Sequence, residues 1–556
     1  PKRDGPFQKN IDSAFNLLSE THFLKSVNSE KINLTDEESE ILIKNIKTLF
    51  ELIINEQDSI WPYVIRNMYR PLLLSNNKID LIIGNPPWLG FNKIVNPNYQ
   101  DFVKQKSKEY GLDIKKKRSQ TSSLNLAPLF FCHCSDNYLA DSGSIIFVLP
   151  ESILSASQNV NFLKFEKPQA DLKLIYELTD VKPLFRIPSC VLFAKKNSPT
   201  KYPVRVIKFS TEGSLDSSNE PLSKASQKLV VKKSLFSPVK RLSIISKYAK
   251  LFAQGATIYP HAFWLVDLEI LSNMGINPNC PAIKKAHNPD AKMPWKNISL
   301  EGNVEQNFFF TTLLSKNLVP FGYSKRSLIV LPVLLDDQNV SMIKDSQNTE
   351  ILGTNFSHYL EEAEIVWKDN AGAKSAKMSI YDRINYNNNC TSQKPKSGYT
   401  VLYTKSATNI ASCVIDNSKN YVFEYDKHRF NVKGFFAEGT TYFYNTPSKH
   451  EAYYLCAIFN SNELNEKIKP LQTKGIFGPR DIHQTVFQFN IPLYDSKNKS
   501  HNKLSEIAID CNKKISKVLE NTTKKSSAGV RGEIRTHLKS EMDSIDKMVK
   551  LLLNSS

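Results

Sequence analysis

The sequence predicts an α/β chain in three parts: strands alternating with helices over residues 1–199, a mixed and mostly β region over 200–500, and a helical tail over 501–556. Three observations carry this division. Short β-branched runs at 79–83, 144–149 and 172–178 are separated by stretches with helical spacing, the pattern of a parallel sheet covered by helices. Near Asn197 that alternation stops and gives way to short strand-like runs rich in Asn and Ser. After residue 500 a helical period returns.

In chain order, Thr35-Asp36-Glu37-Glu38 offers a capping box, and Ile41, Leu42, Ile46, Leu49, Phe50 and Ile53 follow on one helical face. Ile79-Asp80-Leu81-Ile82-Ile83 is a short apolar run stopped by Gly84-Asn85-Pro86-Pro87-Trp88, which reads as a buried strand delivering a stiff loop. Leu126, Leu129, Phe130 and Tyr138 have helical spacing, and Asp141-Ser142-Gly143 stops that helix before the strand that ends at Pro150. Two more strands are expected at 172–178 and 190–194. In the tail, Leu504, Ile507, Ala508 and Cys511 mark one helix, and Ile534, Leu538, Met542, Ile545, Met548 and Leu551 mark another.

The 556 residues suffice for roughly three to four domains of about 100–200 residues each. With 41% hydrophobic and 10% aromatic residues, a disordered or collagenous chain is excluded. No apolar run approaches the roughly 18–20 residues that span a bilayer, which predicts a soluble intracellular protein. The eight cysteines form no CxxC pair, so neither a disulfide framework nor a zinc ribbon is indicated. Lys and Arg number 73 against 55 Asp and Glu, a formal +18 that attracts polyanions and points to nucleic acid.

Asn85-Pro86-Pro87-Trp88 at a strand end has a chemical reading. The exocyclic amine of adenine is a poor nucleophile because its lone pair is delocalised into the ring. Two acceptors that take both N6 hydrogens, the Asn85 side-chain oxygen and the Pro86 carbonyl, turn the lone pair toward an incoming methyl group. The prolines hold those acceptors in place beforehand, Pro87 acting as stiffener. Trp88 can stack on a base flipped out of a duplex. Methyl transfer of this kind needs no covalent nucleophile, and the chain has no Pro-Cys dipeptide of the sort that attacks cytosine. The alternative is a structural proline turn with Trp88 as packing.

Residues 79–88 resemble the catalytic motif of S-adenosylmethionine-dependent, adenine-specific (N6) DNA methyltransferases, in the large single-chain group of restriction-modification and phage-defence systems. Residues 124–150 and 181–195 are similar to the segments that follow the motif, and there the resemblance makes Phe185 the second face of the base pocket. Gly475 to His483, followed by Ile491-Pro492, looks like the end of a target-recognition region, and 531–552 resembles the terminal helices. The resemblance implies a Rossmann-like methyltransferase sheet, S-adenosyl-L-methionine as cofactor, double-stranded DNA as partner, no membrane, and a bacterial or archaeal cytoplasm. It also implies a glycine-rich cofactor loop ahead of the motif. Only Gly5 precedes Gly84, so the sheet is expected to be incomplete on its N-terminal side, the cofactor elements coming from a missing segment or from another chain or subunit.

Residues 104–118 carry seven cations against Glu109 and Asp113, and Lys115, Lys116, Lys117 and Arg118 there are a candidate phosphate clamp or a solvated loop. Lys232, Lys233, Lys240, Arg241, Lys247 and Lys250 precede Tyr259 to Trp264, where by resemblance recognition begins. Cys132-His133-Cys134 lies on a predicted helix whose alternate residues diverge, so core packing outweighs a metal site. Two rival functions stand beside the methyltransferase: an idle DNA-recognition subunit, and methylation of RNA or of a protein glutamine amide.

Overall fold

The computed structural model describes residues 35–554, apart from most of 39–72, the segments 113–124, 239–245 and 270–276, and a few shorter stretches. The candidate clamp Lys115 to Arg118, and Lys240 and Arg241, lie outside the described residues.

The first layer is a six-stranded sheet built from β1 (Ile79–Gly84), β2 (Leu139–Pro150), β3 (Ala170–Asp180), β4 (Ser189–Lys196), β5 (Val204–Thr211) and β6 (Leu229–Phe236), in the spatial order β1-β2-β4-β3-β5-β6. The sheet is mixed, not parallel as expected. β1 and β2 are parallel, as are β3 and β5, but β4 runs antiparallel between β2 and β3. The short Val181–Pro188 link allows only this return: a parallel neighbour needs a crossover of a dozen or more residues. Two further strands carry the sheet to Phe236, past the compositional break near Asn197.

One face of the sheet is sealed. Ile145, Phe147, Leu149, Leu172, Ile175, Leu192 and Ala194 pack there with Phe131 and Leu126 of the helix α2 (Leu126–Asn137). Fully burying each such side chain is worth roughly 1.5–3 kcal/mol. Helix α1 (Pro97–Glu109) joins this layer through Val103, starting where Asn96 Oδ1 accepts from the backbone N–H groups of Asn98 and Tyr99. The opposite face is apolar as well, but open among the described residues. Leu81 is 51% and Ile83 69% exposed, and Ile146, Val148, Val191, Phe193 and Tyr176 are only half-buried. Among the described residues β1 also pairs on one side only.

From Ser246 onward the chain is less β-rich than its composition suggests. A five-stranded antiparallel sheet places β7 (Leu265–Leu268), β8 (Ala282–Lys285), β9 (Glu301–Asn303), β10 (Phe309–Thr312) and β11 (Ser327–Val330) in the order β9-β8-β7-β11-β10. The 17-residue helix α3 (Thr354–Asn370) packs Phe356, Tyr359, Leu360, Ala363 and Trp367 into the same core. A second sheet, β12 (Tyr399–Thr404), β13 (Ser412–Asp416) and β14 (Thr441–Thr446), is covered by α4 (Lys449–Asn460), which is buried nearly all round. Helices α5 (Lys499–Asn521), α6 (Ser527–His537) and α7 (Lys539–Asn554) complete that core, so the expected tail is an integral part of it.

Candidate active site at the carboxyl edge of the sheet

β1 ends on a glycine for a steric reason. Gly84 lies opposite Phe147 of β2, and a Cβ at position 84 would sit 3.0 Å from a carbon of the Phe147 ring. The following four residues then diverge. Pro86 is buried, Trp88 is half-buried, and Asn85 and Pro87 are exposed. The Trp88 indole N–H donates to the Val148 carbonyl of β2 at 3.2 Å. Beyond it the Leu89 carbonyl accepts from Leu126 N at 2.9 Å, and Gly90 forms an isolated bridge with Asn125, whose side chain caps α2 by accepting from Ala127 N. The loop is therefore pinned on the sheet and on a helix start. Asn85 stands free of the core, at the carboxyl end of a strand where ligands of open α/β sheets bind.

Phe185, exposed in the Val181–Pro188 link between β3 and β4, reaches the same place. Its ring centroid is 5.4 Å from that of Trp88 with 51° between the planes. The two rings thus meet from strands far apart in sequence. They touch each other, so a base stacked between them requires roughly 7 Å, twice a van der Waals contact of about 3.5 Å. Trp88 is tethered to β2, whereas Phe185 rides on the link between β3 and β4.

Sequence reasoning missed Glu151, which follows Pro150 at the same edge. It is 5% exposed, its backbone N–H donates to Pro188 O at 2.8 Å, and its carboxylate adjoins the buried Cys190 thiol. Burial, with Glu151 and Glu177 nearby, pushes that thiol well above its ordinary range and leaves it unreactive. A charged residue directly after an apolar strand and a proline was the available signal.

On α1, Lys104 pairs with Asp101 at 2.8 Å and Lys106 with Glu109 at 2.7 Å, the arrangement of a solvated helix face. Lys232 and Lys233 lie exposed on β6, and Lys247 and Lys250 on a 3-10 turn. Cys132, His133 and Cys134 are on α2, and no group of three or more metal-ligating side chains occurs among the described residues. Lys474–Gly475 and Gly478–Pro479 form a two-stranded pair, after which Asp481 bridges Ser406 and the His483 N–H donates to Lys405 O at 3.0 Å. The segment resembling the end of a recognition region is therefore stitched to the end of β12.

Residues 9–185, about a third of the chain, match the family model described as Eco57I restriction-modification methylase. That span contains β1, the Asn85–Trp88 loop and Phe185. No curated protein sequence matches the chain. Among solved structures, the chain is similar to the Type IIL restriction-modification enzyme MmeI in complex with DNA, at 11% identity and a TM-score of 0.48, over 88% of this chain and 55% of that one. It is similar to a nuclease-deletion mutant of the Type ISP restriction-modification enzyme LlaGI in complex with a DNA substrate mimic, at 11% identity and a TM-score of 0.41, over 81% and 42%. A third likeness is to the DrdV–DNA complex, at 10% identity and a TM-score of 0.38, over 80% and 45%. The chain spans about half the length of the solved structures it matches.

Proposed function

We propose that this chain supplies the methyl-accepting half of a site-specific DNA adenine-N6 methyltransferase of a restriction-modification or phage-defence system. One observation carries the reading: within a span matched by a restriction-modification methylase family, an exposed Asn85 and a tethered Trp88 stand beside Phe185 at the carboxyl edge of the sheet. The target adenine leaves the duplex and stacks on the Trp88 ring as Phe185 swings clear. The Asn85 Oδ1 and the Pro86 carbonyl accept the two N6 hydrogens, which localises the lone pair on nitrogen. Pro87 keeps the acceptors from relaxing away.

S-adenosyl-L-methionine is the methyl donor that the family match implies. The described residues do not fit it: Gly84 and Gly143 stand singly in the sheet, and Gly255 and Gly398, which approach other backbone closely, lie beyond it, so no run of glycines forms a phosphate- or cofactor-cradling loop among the described residues. We therefore assign the donor site to polypeptide outside the described residues. On this reading the region from Ser246 onward recognises duplex DNA, together with the basic segments flanking the sheet.

The test supplies tritiated S-adenosyl-L-methionine to the chain, alone and together with the polypeptides encoded beside it. Label should enter adenine N6 of duplex DNA, and Asn85→Ala should lower the rate by about 10²-fold or more, the scale of losing one preorganised electrostatic partner, while DNA binding persists. DNA that is bound but stays unlabelled under every pairing would leave an idle recognition subunit. Label in RNA or in a protein amide would move the substrate class.

A further inference from the structure

The region beyond the sheet holds a cleft of about 520 Å³ that the proposed reaction does not use. Its floor is Tyr259, Trp295 and Leu314, and its rim carries His261, Lys292 and Lys316. Trp295 is 6% exposed and lies face to face with Trp367 of α3 at 5.5 Å and 22°, so it is a fixed surface. Tyr259 stands edge-on to it at 6.1 Å and 76°, is 38% exposed, and has the Arg383 guanidinium 5.6 Å from its ring centroid. His261 is fixed from two sides, its Nδ1 2.9 Å from Asn288 Nδ2 and its Nε2 3.7 Å from the buried carboxylate of Glu438.

The rim is rigid for a definable reason. Ser315 N donates to Thr440 Oγ1 at 3.0 Å, and from behind, α6 grips the same loop: Arg531 donates to Ser315 O and, at 2.8 Å, to Leu318 O, and Ser527 donates to Lys316 O at 2.8 Å. Burial, with Arg535 adjacent, lowers the Arg531 pKa to about 10. Lys292 and Lys316 are exposed, and none of the residues lining the cleft is acidic. An aromatic floor under two cations matches one class of ligand: a planar base joined to a phosphate.

We infer that this cleft receives a single nucleotide of the bound DNA, its base lodged against Tyr259 and Trp295 and its phosphate at Lys292 and Lys316, separate from the adenine at Asn85. The inference rests on the DNA reading proposed above. One stacked base held by two exposed cations binds weakly on its own, at dissociation constants of about 1 mM.

Two measurements separate this inference from that reading. Titration of the full chain with deoxyadenosine monophosphate, followed by saturation-transfer NMR, reads the cleft. Fluorescence anisotropy of a labelled duplex reads DNA binding. The expected result is nucleotide binding near millimolar that falls at least 10-fold in Tyr259→Ala and in the double variant Lys292→Ala/Lys316→Ala. The lysines are exposed, so the double variant keeps the fold if Tyr259→Ala does not, and melting curves check both. Duplex affinity should fall in parallel, with a smaller salt slope in the lysine variant. Undetectable nucleotide binding to the unaltered chain at 10-fold above about 1 mM, or binding unchanged in both variants, overturns the inference even if duplex binding stands. Absence of duplex binding with the nucleotide result intact instead overturns the DNA reading and leaves a free-nucleotide site.

Discussion

At the residue scale, the candidate site depends on close approach as much as on acceptors. Gly84 lets β1 meet the Phe147 ring, and Gly84→Val should overpack that contact, lowering stability by about 1–3 kcal/mol in urea titration and displacing the Asn85 loop. A different residue sets the acid limit. His501 is buried against Tyr454, and its Nδ1 accepts from the Asp495 N–H at 3.0 Å, which requires the neutral ring. Burial lowers its pKa from the ordinary value near 6.5 despite Asp495, and burial acts the same way on His133 and His483. The folded state therefore binds fewer protons than the unfolded one, and this stability is present above about pH 6.5 and lost as pH falls below it. The melting temperature should drop between about pH 7 and pH 5, and His501→Gln should flatten part of that drop. An unchanged slope in the variant would assign the acid sensitivity to other groups.

At the scale of elements, much was legible and the failures have physical causes. The strand at Ile79–Gly84 and the helix at Leu126–Asn137 follow from periodicity and from Gly, Asn and Pro, because local chemistry decides them, whereas Asp141-Ser142-Gly143, expected to stop that helix, lies inside β2. The meeting of Trp88 with Phe185 was reached only through resemblance, since 97 positions separate them and no local rule brings them together. The antiparallel sense of β4 was missed because direction depends on link length, which short apolar runs do not advertise. α3 was missed for a different reason: its buried Phe356, Tyr359, Leu360, Ala363 and Trp367 have helical spacing, but Asn and Ser in the surrounding stretch pointed to β structure and turns. The terminal helices were placed well, yet their role was not. Arg535 of α6 donates to Ile410 O at 2.9 Å and Asn460 O at 3.2 Å, joining the tail to β13 and α4. Arg535→Ala should cost about 2–4 kcal/mol by leaving these buried carbonyls unpaired, read as a lower denaturant midpoint with unchanged slope.

At the scale of the whole molecule, the described residues cover the sheet on one side only. A sheet with parallel strands is ordinarily covered on both faces, and among the described residues Leu81 and Ile83 stand exposed on a strand that pairs on one side. Ile83→Glu should leave the melting temperature of the chain alone almost unchanged, as surface substitutions usually do, within about 0.5 kcal/mol. In the proposed assembly it should weaken binding of the cofactor-supplying polypeptide at least 10-fold in an ultracentrifuge, since a charge would enter a desolvated interface. Equal assembly by the variant would place the docking surface elsewhere.

If the proposed cofactor-supplying polypeptide docks there, that open face also sets the order of events in a cell. A chain whose reaction centre closes only when a second body arrives has a rate that scales with the product of two concentrations. Methylation would then lag synthesis of either component alone, and dilution at division would silence it before either component had decayed.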